Sequence, residues 1–299
     1  MTADQAKPHR TRATLIGATA VLMWSTLALL TTLTGTVPPF QLTAMAFGVA
    51  TGLILVVWTA RGQSPLGHLR LAPRVWLLGV AGLFGYHFFY FMALRNAPPV
   101  DAGLIAYLWP LLIVVFSALL PGERLRWWHL AGALAGLAGT VLLVTGGGRV
   151  SFQAQYALGY AMAGACALTW SIYSVLSRRF AHVPTNAVGG FCAATAALAA
   201  LAHLAFETTV WPADTTAWLA ILALGLGPVG ASFFTWDHGV KHGDIQTLGA
   251  ASYAAPLLST LLLIAFGKGE ATPSVVLACG LIVGGAVLAS RDMLRRRRS

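Results

Sequence analysis

The chain has 299 residues, 57% of them hydrophobic and only 9% charged, with a formal net charge of +10. Soluble proteins carry about 25% charged residues, so this composition excludes an ordinary water-soluble domain. Cys166, Cys192 and Cys279 lie in apolar runs without metal-ligand spacing, and they predict no metal site and no disulfide framework.

No Asp, Glu, Lys or Arg occurs in 13–60, 75–94, 102–122, 127–148, 150–177, 180–206, 215–236, 245–267 or 271–290. A membrane-crossing helix needs about 20 mostly apolar residues, and nearly all these runs reach that length. Pro38-Pro39 divides the first, overlong run. The sequence therefore predicts an all-α integral membrane protein with ten transmembrane helices, near 13–34, 38–60, 74–95, 99–120, 127–147, 156–178, 184–205, 215–239, 244–266 and 273–292. A cleavable leader is the alternative for the first span, since Lys7, Arg10 and Arg12 suit its charged region. The apolar stretch is too long for that and lacks a small-x-small cleavage site, so the span reads as retained.

Ten spans put both termini on one side. That side receives the N-tail, the even-numbered loops, the C-tail and every Lys and Arg except Arg95, Arg149 and Lys268. By the positive-inside rule both termini are expected to be cytoplasmic. The basic tail Arg295 to Arg298 then reads as an anchor facing anionic lipid, not as a nucleic-acid patch.

The chain also repeats itself. "AYLWPLL" (106–112) and "SYAAPLL" (252–258) share Tyr-x-x-Pro-Leu-Leu, with Pro110 and Pro256 146 residues apart. At the same offset Trp24-Ser25 matches Trp170-Ser171, Arg95 matches Lys241, Gly103 matches Gly249 and Tyr107 matches Tyr253. Glu123 aligns with Glu270 one inserted residue later. The expected units are 1–148 and 149–299, five helices each. An odd number of helices turns the second unit upside down, giving an inverted-topology repeat of the kind that builds transporters with a site between the halves. "GALAG" (132–136) and "GLIVG" (280–284) would let helices approach closely, within one chain or in a weak homo-oligomer.

On the third span Gly79, Gly82, Tyr86 and Tyr90 share one helical face, and Trp170 and Tyr173 share a face of the sixth. Trp24, Tyr107, Trp109 and Tyr253 add rings on the first, fourth and ninth spans. Ordinary helix packing is the alternative for each ring alone; the set predicts a cavity that stacks a planar apolar substrate. Ser25, Ser171 and His87 offer polar contacts, with His87 either binding a carboxylate, carrying a proton or bonding a neighbouring helix. Pro110 and Pro256 remove helical hydrogen bonds and leave the carbonyls of Ala106 and Ser252 free, which suits gating or a fixed kink. Asp237 and His238 lie toward a helix end and are expected to face water. No nucleotide-binding loop, His-Glu-x-x-His or Gly-x-Ser-x-Gly motif occurs, so the expectation is no enzyme, no catalytic residue and no cofactor.

These features resemble the drug/metabolite transporter superfamily: the doubled Trp-Ser, and a Pro followed by Gly-Glu around the fourth helix of each half. More narrowly the chain is similar to EamA-type exporters. The aromatic-rich "YHFFYFMALRNAPPVDAGLIAYLWPLL" (86–112) is most like the YddG-type aromatic amino acid exporters. The resemblance implies a multi-pass protein of the bacterial inner membrane that exports aromatic or other apolar amino acids by alternating access, with lipid as its surroundings and no nucleic-acid partner. An exporter of cationic drugs with the same fold, or an intramembrane enzyme, is the alternative.

Overall fold

The structure, a computed structural model, describes residues 3–148, 152–267 and 270–292. Arg149, Lys268, Arg295 to Arg298 and the expected junction at 148–149 lie outside the described residues. Ten helical rods follow one another: α1 (His9–Leu33), α2 (Pro39–Ala60), α3 (Pro73–Asn96), α4 (Pro99–Leu119), α5 (Trp127–Thr145), α6 (Ala157–Ser177), α7 (Ala187–Phe206), α8 (Thr215–His242), α9 (Ile245–Ala265) and α10 (Pro273–Ala289). Proline opens α2, α3, α4 and α10, where its missing N–H costs nothing. Asp214 and Asp244 cap α8 and α9 by accepting the N–H groups of Ala217 and Thr247 at 2.8 and 3.0 Å.

Eight rods, all but α6 and α10, are long and apolar enough to cross a membrane. The tenth has 17 residues. In α6 the residues Trp170, Ser171, Tyr173, Ser174 and Ser177 dilute the apolar character, and every one of them is buried. Leu22, Leu77, Leu119, Leu204 and Val276 are meanwhile largely exposed. Polar inside and apolar outside is the distribution of a multi-pass membrane protein.

Three rods are interrupted by turns: α1 at Ser25-Thr26, α4 at Tyr107-Leu108 and α9 at Ser252-Tyr253. The last two sit just before Pro110 and Pro256, as the sequence predicts. The N–H of Ala255 donates to the Ser252 carbonyl at 3.0 Å, so a tightened turn takes up the group that Pro256 was expected to release. Across the break in α4, the Leu111 N–H donates to the Tyr253 hydroxyl oxygen at 3.2 Å. Two further irregularities escaped the sequence reading. Ala81–Gly85 in α3 and Gly227–Ala231 in α8 are single π turns, again 146 residues apart.

Packing follows the repeat. The helices α1 and α8 meet, and so do α6 and α3, which are their counterparts at the offset; α2 meets α7, α4 meets α9 and α5 meets α10. At the α1–α8 crossing a Cβ on Gly17 would stand 2.8 Å from the Cα of Gly239. The equivalent crossing of α6 with α3 has Ala163 and Ala93, both fully buried. Between α5 and α10, Gly132 lies against Gly285, because a Cβ on Gly285 would come 2.5 Å from the Gly132 carbonyl oxygen. Within the chain the two Gly-x-x-x-Gly motifs are used unequally. Gly132 and Gly136 pack inside the chain, whereas Gly280 and Gly284 face open space. The reason is register: Gly285, one residue past the motif, points at α5.

Gly132→Leu is accordingly expected to destabilise the fold by about 1–3 kcal/mol through overpacking, and Gly284→Leu to leave it within about 0.5 kcal/mol. Thermal unfolding of both variants in the same detergent checks the contrast.

Candidate substrate site

The interior of the bundle is a cluster of rings drawn from six helices. Trp24 packs against Trp109, Trp170, Trp236 and Phe233, with ring centroids 6.0, 5.8, 5.1 and 6.4 Å away. Trp170 also meets Tyr86 at 5.4 Å and Tyr173 at 5.2 Å. Small residues make the approach of these rings feasible: Gly82, inside the first π turn, lies against the Tyr173 ring. The indole N–H groups are satisfied across helices, Trp24 Nε1 donating to Ser232 Oγ at 3.1 Å and Trp236 Nε1 to Ser174 Oγ at 3.0 Å. Buried indoles need such partners.

Above this tryptophan floor the rings are less covered. Tyr86 and Tyr90, one turn apart on α3, are parallel within 1° and 6.2 Å apart. His87 stands beside them, in contact with Phe47 (5.3 Å) and Phe233 (6.2 Å). Tyr86, His87, Tyr90 and Tyr107 keep part of their surface open, although their neighbours Trp170, Phe47 and Phe233 are buried. His87 Nδ1 is 2.7 Å from the Leu83 carbonyl oxygen. A carbonyl only accepts, so Nδ1 carries the proton and Nε2 is the acceptor nitrogen.

Other predicted residues fall elsewhere. Ser25 is buried but spends its hydroxyl on Leu22 of its own helix at 2.6 Å. Ser171 donates to the Ala167 and Trp109 carbonyls at 2.6 and 3.0 Å, tying α6 to α4 beside Pro110. Tyr253 is wholly buried against Gly136 and braces the α4 break, away from the tryptophans. Sequence reasoning missed Phe233 and Trp236. The signal was available, because the 146-residue offset carries His87 onto Phe233 and Tyr90 onto Trp236.

One end of the bundle, that of the N-terminal part of α1, is closed by ions. Glu123 accepts from Arg10 Nη2 at 3.0 Å and from Arg178 Nη2 at 2.7 Å. Arg10 also reaches Asp244 at 3.3 Å, and Arg178 Nη1 donates to the Val240 and Gly243 carbonyls. Next to this clamp Lys241 pairs with Asp237 at 2.8 Å, and Thr185 donates to the same carboxylate. The expectation that Asp237 faces water is therefore corrected: it is 2% exposed. Burial is tolerable because Lys241 and Thr185 supply charge and hydrogen bonds together.

A ring-lined interior closed at one end by charges is a transporter's architecture, and the sequence comparison decides its kind. The EamA-like transporter family matches twice, over residues 11–145 and 157–291. The chain belongs to that family. The two EamA matches stand at the same 146-residue offset as the prolines and the π turns. The chain is 58% identical to the "Aromatic amino acid exporter YddG" of Ancylobacter novellus over 289 residues, covering 96% of this chain and 99% of that one. It is 23% identical to the protein of the same name from Escherichia coli, over 93% and 97% of the two chains. A probable terminal-alkyne amino-acid exporter of Streptantibioticus cattleyicolor is 24% identical over 92% and 95%. A crystal structure 57% identical to the chain superposes with a TM-score of 0.90, covering 95% of this chain and 99% of that one.

The clamp makes one EamA element testable. Glu123→Gln leaves two arginines short of a carboxylate, and the closed end should loosen. In a background lacking the native cysteines, a cysteine at Ser177 (3% exposed) should be unreactive to maleimide with Glu123 present. It should label several-fold faster with the glutamine.

Proposed function

We propose that this transporter exports aromatic amino acids across the bacterial inner membrane by alternating access. In this reading all ten rods span the bilayer, as units 1–148 and 149–299 in inverted orientation with both termini cytoplasmic. The distribution of Lys and Arg supports that sidedness, and it puts the Glu123 clamp at the cytoplasmic end. The interior around Tyr86 and Tyr90 then opens outward.

The observation that carries the substrate assignment is the pair of parallel rings of Tyr86 and Tyr90 beside the acceptor nitrogen of His87. It stands in a chain 58% identical to a named aromatic amino acid exporter over nearly its whole length. Tyr86 and Tyr90 offer a flat surface for an indole or phenyl ring. His87 in this tautomer accepts a hydrogen bond from an ammonium group. Phe233 and Trp236 of α8 back the site from within the tryptophan floor. Trp109 lies in the tryptophan floor. When Glu123 releases its arginines, the floor and the turns at Pro110 and Pro256 would move to admit substrate from the cytoplasm.

Binding energy concentrated in rings predicts selective losses. Tyr86→Ala with Tyr90→Ala should lower tryptophan flux in proteoliposomes at least about tenfold, the scale of losing one or two ring contacts. His87→Phe should preserve folding and lower flux for substrates bearing an α-ammonium. If empty and protein-containing liposomes move phenylalanine and tryptophan at the same rate, the substrate assignment fails.

A further inference from the structure

A second site lies outside the ring-lined interior. The Gly17–Gly239 crossing brings α1 and α8 into contact, and the contact continues to the end of α8, where the Asp244 N–H donates to Thr14 Oγ1 at 2.8 Å. Beside this contact lies a cavity of about 690 Å³, lined by His9, Arg10, Arg12, His238, Lys241 and His242. Its charge is not neutralised. Arg10 is taken by Glu123 and Asp244, and Lys241 by Asp237 and the Val183 carbonyl. Among the described residues Arg12 has no acceptor, and neither do the rings of His9, His238 and His242, of which the last two meet at 5.0 Å. Among the described residues the nearby carboxylates Glu123, Asp237 and Asp244 are all paired. A concave cationic surface without acidic residues suits an anion with several acceptor oxygens, and guanidinium suits phosphate.

The surface of α1 says which phosphate. Arg12, Leu15, Thr19 and Leu22 follow one another at three, four and three residues, a single helical stripe. All four are exposed, Leu15 at 51% and Leu22 at 57%. A cation therefore heads an apolar track that runs into the membrane. A soluble phosphate would use the cation and leave the track idle; a phospholipid uses both.

We propose that the α1–α8 groove binds the phosphate headgroup of an anionic phospholipid, with an acyl chain lying along Leu15 and Leu22. The site rests on the proposed cytoplasmic placement of this end, where anionic headgroups meet basic pockets between helices. Occupancy would add an anion one turn from Arg10 and Lys241, next to the clamp that governs opening.

Native mass spectrometry of the full chain, titrated with phosphatidylglycerol and phosphatidylcholine of matched acyl chains, tests the site. The intact protein should retain phosphatidylglycerol several-fold more strongly. Arg12→Gln with His242→Gln should reduce that preference about fivefold for each cation that was charged, with an unchanged melting temperature in phosphatidylcholine. Equal retention of the two lipids, or a preference unaffected by the double substitution, overturns the proposal. If millimolar inorganic phosphate displaces the lipid and stabilises the protein equally well without it, the occupant is a soluble anion and the lipid assignment fails. Retention needs no transport, so failed flux and failed lipid binding are separate results.

Discussion

The two halves of this chain pack on one another, and the ring-lined interior exists because of that exchange. Rod α1 lies on α8 and rod α6 lies on α3, so the third helix of each half is held by the first helix of the other. The crossings need glycine or alanine at the contact, Gly17 with Gly239 and Ala163 with Ala93. Apolar side chains gain little from one another in lipid, so close backbone approach and satisfied polar groups must supply the association. From that interleaving follow the positions of Tyr86, His87 and Tyr90 on one side and of Ser232, Phe233 and Trp236 on the other.

The two ends of the bundle use different chemistry. Near the start of α1, Glu123 gathers arginines from both halves and an aspartate joins them, so breaking the seal means separating charges in a partly buried place. Such groups are costly to leave unpaired, which makes the seal a two-position device. At the other end Glu207 caps α2 by accepting the Phe40 and Gln41 N–H groups, and Tyr160 donates to Asp101 at 3.0 Å. These contacts brace the bundle with fewer charges. A repeat that is symmetric in its backbone has become unequal in its ion pairs.

Much of this was legible in the sequence because lipid imposes a simple code. Eight charge-free runs located one rod each, and Pro38-Pro39 divided the ninth run into the remaining pair. The Tyr-x-x-Pro-Leu-Leu match predicted both breaks before Pro110 and Pro256. The π turns were not legible: "AGLFG" and "GPVGA" share only small residues, and their surroundings differ, Tyr173 lying on Gly82 and Ala50 beside Gly230. Phe233 and Trp236 escaped because the offset was applied to identical residues and not to positions. The clamp escaped for another reason. Arg10, Glu123, Arg178 and Asp244 are distant in sequence, and only tertiary packing brings them together. Spacing alone cannot distinguish a tethered carboxylate such as Asp237 from a solvated one.

The most direct measurement is where a substrate sits. A photoreactive diazirine analogue of phenylalanine, cross-linked to the purified protein and mapped by peptide mass spectrometry, should label Tyr86–Phe91 on α3 and Ser232–Trp236 on α8. Excess tryptophan should abolish both signals. Labelling confined to α5 and α10, or labelling that tryptophan leaves unchanged, would contradict a site built where the third helices of the two halves face each other.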